Sequence, residues 1–251
     1  MNYETYKLIT YGWMAIAAAT FLLLLKVTAP YGRHASSTWG PQINNNTGWI
    51  LMEAPVMIIL MYHMFGKSAN HHAVTYTLVA FFMLHYINRT FIFPFRIHTR
   101  GKKMPLLIVG SGILFNLVNG HLLGYYFAVF AMYDNSYFLS PQFIAGLVIF
   151  LTGIYINMKA DNMLINLRKP GETGYQIPQG WLFRYISCPN LFGEMVEWAG
   201  FAIMCWNLPA CSFFVWTVAN LLPRAMAHHA WYKRTFSHYP ANRKAVLPFL
   251  L

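Results

Sequence analysis

No Asp, Glu, Lys or Arg occurs between Met104 and Met132, and none between Trp198 and Pro223. A helix crossing the hydrocarbon core of a bilayer needs about 20 consecutive apolar residues, so each stretch is predicted to lie in a membrane. The composition agrees: 57% of residues are hydrophobic and 10% charged, against roughly a quarter charged in soluble domains. The mean hydropathy is +0.39. Further spans are predicted at Leu8–Leu25 (bounded by Lys7 and Lys26), Gly48–Phe65, His71–Phe95 and Pro141–Met158. Leu8–Leu25 is apolar enough for a signal peptide, but no small-residue cleavage site follows, and it is read as a retained span. Asn190–Arg234 is too long for one crossing and is divided at Asn207-Leu208-Pro209. The expectation is an all-α membrane protein of seven helices forming a single domain over residues 1–251.

An odd number of spans puts the termini on opposite sides. One side then collects every Lys and Arg except Lys7, Lys67 and the intraspan Arg89. That asymmetry predicts a cytoplasmic C-terminus and an N-terminus outside. It also explains the net charge of +11 without nucleic acid. Cys188, Cys205 and Cys211, an odd count with no C-x-x-C, argue against a disulfide scaffold or a zinc site. His71-His72 and His228-His229 are adjacent, so neither pair shares a helix face, and no metal is expected. Gly110-Ser111-Gly112 starts like a dinucleotide fingerprint, but Phe115 stands at the third glycine's position and no strand precedes it. No P-loop, H-E-x-x-H, arginine ladder or inverted repeat is present, which disfavours a channel or transporter.

Polar residues concentrate in Asn157–Trp198, which holds Asp161, Glu172, Glu194 and Glu197, four of the seven acidic residues. Asn157, Asp161 and Arg168 are spaced to share a helix face, and Asn190, Glu194 and Glu197/Trp198 repeat the pattern. The Gly/Pro-punctuated KPGETGYQIPQG between them reads as a loop. Within spans, ionisable groups are functional candidates by default, and Glu53, Tyr86 and Arg89 are the deepest. A glutamate in apolar surroundings stays protonated more readily, and with a tyrosine hydroxyl it can polarise a carbonyl. Alternatively, Glu53 pairs with Arg89 or another arginine to hold helices together. Arg224, His228 and Tyr232 form a stripe suited to phosphate or ribose, or to snorkelling at a membrane boundary. Trp13, Trp39, Trp49 and Trp181 are expected in interfacial belts.

The segments YGRHAS, LHYINRTF, NMKADNMLINLRKPGETGYQIPQG, SCPNLFGEMVEW, LPRAMAHHAWY and YPANRKAVLPFLL, in that order, resemble the membrane-embedded steroid 5α-reductases. The resemblance implies NADPH bound from the cytoplasmic side and reduction of the C4–C5 double bond of a 3-oxo-Δ4-steroid. It implies substrate binding by Met52, Glu53 and Tyr86, with Glu53 and Tyr86 on the 3-keto oxygen. Asn157, Asp161, Arg168, Tyr175, Asn190, Glu194, Trp198, Arg224, His228 and Tyr232 would surround NADPH. Arg89, Arg100 and Arg243 would reach its phosphates. Residues 105–251 would then mainly bind cofactor and the N-terminal half substrate. The steroid would arrive from the lipid phase of a bacterial inner membrane or endoplasmic reticulum, to a monomer. Animal members carry Gln where this chain has Met52, Arg where it has Gln176, and His where it has Ala227. Competing readings are a reductase of enoyl-CoA or polyprenol, an isoprenylcysteine-type methyltransferase, and a sterol-binding or sensing protein.

Overall fold

The computed structural model describes residues 1–66, 72–97, 101–167 and 174–251. The structure is built from long helices: α1 Tyr3–Leu24, α2 Asn45–Met64, α3 Ala73–Arg96, α4 Leu106–Phe130 and α5 Pro141–Ile165, then α6 Pro189–Cys205 and α7 Leu208–Thr235. The first five are long and apolar enough to cross a membrane. α6, with 17 residues, falls short of the roughly 20 a straight crossing takes. Large apolar side chains such as Leu8, Leu22, Ile58, Leu107 and Val148 lie exposed along the outer helix faces. A soluble protein would bury such a surface; a bilayer accepts it.

Helix boundaries follow from caps written in the sequence. The side chains of Asn2, Asn44, Ser140 and Asn207 each accept a hydrogen bond from a backbone N–H in the first turn of the helix that follows. Pro141 and Pro209 occupy opening turns, where a missing N–H costs nothing. Trp206, left-handed at φ 48°, ends α6, so the turn at Asn207-Leu208-Pro209 falls where the sequence places it. α5 runs beyond the predicted Met158 to Ile165, which carries Asn157 and Asp161 on its last turns. α3 widens into a π-helical turn at Asn88–Ile92 just before Pro94. Pro94 has no N–H for the carbonyl four residues back, so the regular ladder breaks there.

Two features were not expected. Gln42–Asn44 (β1) pairs antiparallel with Lys103–Pro105 (β2), Ile43 opposite Met104, and ties the first polar loop to the start of α4. These strands are too short and too polar to announce themselves by alternation. The helices pair as α5 with α6, α2 with α4, α1 with α7 and α6 with α7. The α5–α6 pair is held close by glycine: a Cβ on Gly153 would overlap the Glu197 backbone, and one on Gly193 the Asn157 backbone. Small residues let membrane helices approach in this way. The core gathers Leu60, Leu78, Phe82, Phe127, Phe150, Trp198, Phe201 and Phe213.

Candidate active site

A cavity of about 450 Å³ opens among α1, α2, α3, α4, α6 and α7. Trp13 and Ile16 of α1, Phe115 of α4, and Phe213 and Trp216 of α7 line one part of it. Arg89, Glu194 and Arg224 line another, with Met52, Glu53, Tyr86 and Trp198 also in its wall. An apolar chamber with a few convergent polar groups is the usual form of a small-molecule site.

Asn116 of α4 joins Glu53 and Tyr86. Its Nδ2 donates to Glu53 Oε2 at 3.2 Å and to the Met52 carbonyl at 2.5 Å. Tyr86 donates its hydroxyl proton to Asn116 Oδ1 at 3.1 Å. Glu53 is not a partner of Arg89: among the described residues, the carboxylates within 4.0 Å of Arg89 are Asp161, at 3.8 Å, and Glu194, at 4.0 Å. The Arg89 guanidinium also lies over Trp49 and Phe93. Behind Tyr86, His85 Nδ1 sits 2.7 Å from Glu197 Oε1, both buried, and the His85 ring meets Trp198 edge-on.

The polar faces predicted on either side of the central loop come together where α5 ends and α6 begins. Asn157 donates to the Asn190 carbonyl and Asn190 to Asp161 Oδ1, each at 3.0 Å. Arg168 and Arg100 lie outside the described residues, as does His71. α5 stops at Ile165.

The stripe on α7 faces the polar loop after α1. Arg224 donates to the Ala29 and Tyr31 carbonyls at 2.7 and 2.8 Å. His228 Nδ1 lies 2.9 Å from His34 Nε2 with the rings stacked. Arg33 sits over Tyr232, Trp231 and Tyr175, and Lys102 donates to the Tyr175 hydroxyl. Burial first, then Arg224 and Arg33, push His34 down to about 4, so it is neutral near pH 7. His229 turns the other way, to Ser187 Oγ at 2.7 Å, as adjacent residues on a helix must. Arg243 is 2% exposed and donates to the Pro178 carbonyl and to Gln179. It pins the end of the central loop and stands apart from the cavity lining.

One expectation is corrected. Trp13 is no interfacial belt residue: it lies on the inner side of α1, donates to Asn119 Oδ1 at 3.3 Å and packs tilted against Trp216, ring centroids 4.5 Å apart. Sequence reasoning also missed Asn116, Arg33 and Lys102, and left His85 and Glu197 without a pairing. Asn116 carried a signal, since an amide deep in an uncharged stretch must find partners. Arg33 and Lys102 read as ordinary loop charges. No group of three or more metal-ligating side chains occurs among the described residues.

Residues 102–251 match the sequence family described as 3-oxo-5-alpha-steroid 4-dehydrogenase. A steroid 5-alpha-reductase of Gossypium hirsutum is 38% identical over 94% of this chain and 93% of its own length. The chain belongs to the 3-oxo-5-alpha-steroid 4-dehydrogenase family. Its similarity extends to the 3-oxo-5-alpha-steroid 4-dehydrogenase 1 of Mus musculus, 40% identical over 96% of this chain and 94% of that protein. The Homo sapiens relative of the same description is 37% identical over the same shares, 96% and 94%. Family membership makes the chain an oxidoreductase of steroid metabolism, and the five apolar helices embed it in a membrane.

Proposed function

We propose that this protein reduces the C4–C5 double bond of 3-oxo-Δ4-steroids with NADPH. The observation that carries the reading is the Glu53–Asn116–Tyr86 bridge in the wall of a largely apolar cavity of about 450 Å³. Small-molecule sites run from roughly 300 to 1,000 Å³, so a flat, rigid hydrocarbon skeleton is of suitable size. Glu53 and Tyr86 both offer O–H groups to a carbonyl oxygen, and among the described residues no Lys, Arg or His lies within 4.0 Å of the Glu53 carboxyl.

NADPH suits the polar groups outside the cavity lining, where Arg33 and His34 of the loop after α1 meet Tyr175, His228 and Tyr232. Arg33 Nη1 is buried without a hydrogen-bond partner among the described residues, beside the aromatic rings of Tyr232 and Trp231. A guanidinium held this way is a ready donor to phosphate oxygens. Asn157, Asp161, Asn190 and Glu194 would hold the ribose and amide groups, with Trp198 in the cavity wall beside them. Arg89, Tyr175, Arg224, His228 and Tyr232 would line the remaining contact, with Arg243 holding the loop from behind. The bound cofactor supplies the hydride that goes to C5.

The protein's own share is positioning and oxyanion stabilisation. Glu53 and Tyr86 donate to the 3-keto oxygen and stabilise the negative charge that develops on it as C5 gains a C–H bond. The C4–C5 electron pair moves into an enolate across C3–C4, and a proton added at C4 restores the ketone. Trp13, Phe115, Phe213 and Trp216 keep water from the reacting face and lower the local dielectric, which strengthens both hydrogen bonds. The steroid reaches the cavity from the lipid. The basic loops face the cytoplasm, with the N-terminus outside and seven crossings in all.

The test is a panel of enones offered to purified protein with NADPH or NADH carrying deuterium at the transferable position. Deuterium at C5 of a saturated 3-oxo-steroid, with NADPH preferred, is the expected result. Turnover of enoyl-CoA or polyprenol but of no 3-oxo-Δ4-steroid would refute the steroid reading.

A further inference from the structure

Asn116 belongs to an uncharged helix, is 2% exposed, and satisfies more partners than its size suggests. Its orientation is fixed by chemistry. A backbone carbonyl only accepts hydrogen bonds, so the face turned to Met52 O, at 2.5 Å, must be the nitrogen. The second N–H then points to Glu53 Oε2 at 3.2 Å. The amide oxygen is left to accept the Tyr86 hydroxyl proton at 3.1 Å. The amide therefore donates to the carboxyl and accepts from the phenol.

This has a consequence for the carboxyl. The oxygen that accepts an N–H is preferentially the carbonyl oxygen of a protonated acid. With Oε2 facing Asn116 Nδ2, the acid proton of Glu53 is carried on Oε1. Meanwhile the Tyr86 O–H has a resting partner in Asn116 and is not left unpaired in an apolar chamber, which would be costly. The helices are placed for this contact. Gly112, one turn before Asn116, has Met52 Cβ 2.8 Å from where its own Cβ would stand, so α2 and α4 approach closely enough for a short side chain to span them. The side chain before Glu53 is the apolar Met52; α2 supplies no amide beside its own carboxyl, and α4 does.

We propose that Asn116 is the positioning residue of the donor pair, fixing the Glu53 proton on Oε1 and parking the Tyr86 hydroxyl until a ketone oxygen replaces it. The assignment rests on the reading of Glu53 and Tyr86 as donors given above. It makes Asn116 part of the chemistry of reduction and not of cofactor binding.

Asn116→Leu, Asn116→Asp and Glu53→Gln are to be compared with the unaltered protein for kcat, KM, NADPH affinity and the pH dependence of kcat. Asn116→Leu is expected to lower kcat on the order of 100-fold, the scale of losing an oxyanion-site donor, with NADPH affinity unchanged. Asn116→Asp keeps the size and the Tyr86 acceptor but replaces the N–H donor with a second carboxyl, so the kcat–pH profile is expected to shift. A purely structural role would lower yield or melting temperature and leave that profile in place. Should Asn116→Leu fail to fold, the profile of Asn116→Asp decides by itself. Full turnover in Asn116→Leu, or an unshifted profile in Asn116→Asp, while Glu53→Gln is inactive, overturns the positioning role alone. Full turnover in Glu53→Gln overturns the donor reading beneath it.

Discussion

Arg89 shows how a buried charge is tolerated between helices. It emerges from the π-helical turn of α3, rests on Trp49 and Phe93, and reaches Asp161 and Glu194 at 3.8 and 4.0 Å. Its partners come from α5 and α6, so one guanidinium balances carboxylates on separate elements. Removing it leaves those acids uncompensated, and breaking a buried ion pair typically costs about 3–5 kcal/mol. Arg89→Met is therefore expected to lower stability by roughly 3 kcal/mol, the low end because the separations are long, and to weaken NADPH binding. Chemical denaturation in detergent and cofactor titration measure both effects; a variant as stable as the parent would remove Arg89 from this role. At this scale the sequence was legible where a group was costly. Glu53, Tyr86 and Arg89 stood out because charge and phenol in a span demand partners. Which partner each finds depends on helix–helix rotation, which spacing along one helix does not encode. That is why Asn116, and not Arg89, proved to be the neighbour of Glu53.

Loop and helix meet at the α7 stripe. Arg224, His228 and Tyr232 each contact a residue between Ala29 and His34, so a segment of weak local structure is docked by side chains. The stacked His34–His228 pair needs at least one neutral ring, because one of the two facing nitrogens must accept. His34 is pushed from its ordinary 6.5 down to about 4. Because the unfolded chain binds a proton more readily than the docked loop does, stability is full above about pH 6.5 and falls as pH drops towards 4. Thermal melts across that range are expected to show a decline that flattens in His34→Gln; an identical decline in the variant would assign it elsewhere. Periodicity gave the stripe itself, since its offsets of four repeat along one helix. The docked loop was invisible to it: YGRHASSTWG has no period, and its order comes from partners far along the chain. The short β1–β2 pair is hidden for the same reason.

For the whole molecule, most of the architecture was readable from uncharged runs and the Asn207-Leu208-Pro209 break, because a bilayer forces backbone polar groups into helices. The glycine-mediated α5–α6 contact was not. It concerns how helices fit one another, whereas hydropathy records only how they fit lipid. Basic residues placed as they are predict opposite sides for the two termini. Tags at each end, probed by protease in sealed vesicles, are expected to give N-terminal protection and C-terminal cleavage when the cytosolic face is outward. Equal accessibility of the two tags would rule out an odd number of crossings. The central claim joins all scales: a carboxylic acid set between α2 and α4 donates a hydrogen bond to a ketone while the cofactor is held by other helices. Its most direct test is the single-turnover rate of Glu53→Gln with saturating steroid and NADPH, measured beside NADPH affinity. The account predicts a fall on the order of 100-fold or more in the chemical step with cofactor affinity unchanged. A Glu53→Gln protein that reduces the steroid as fast as the parent would contradict it.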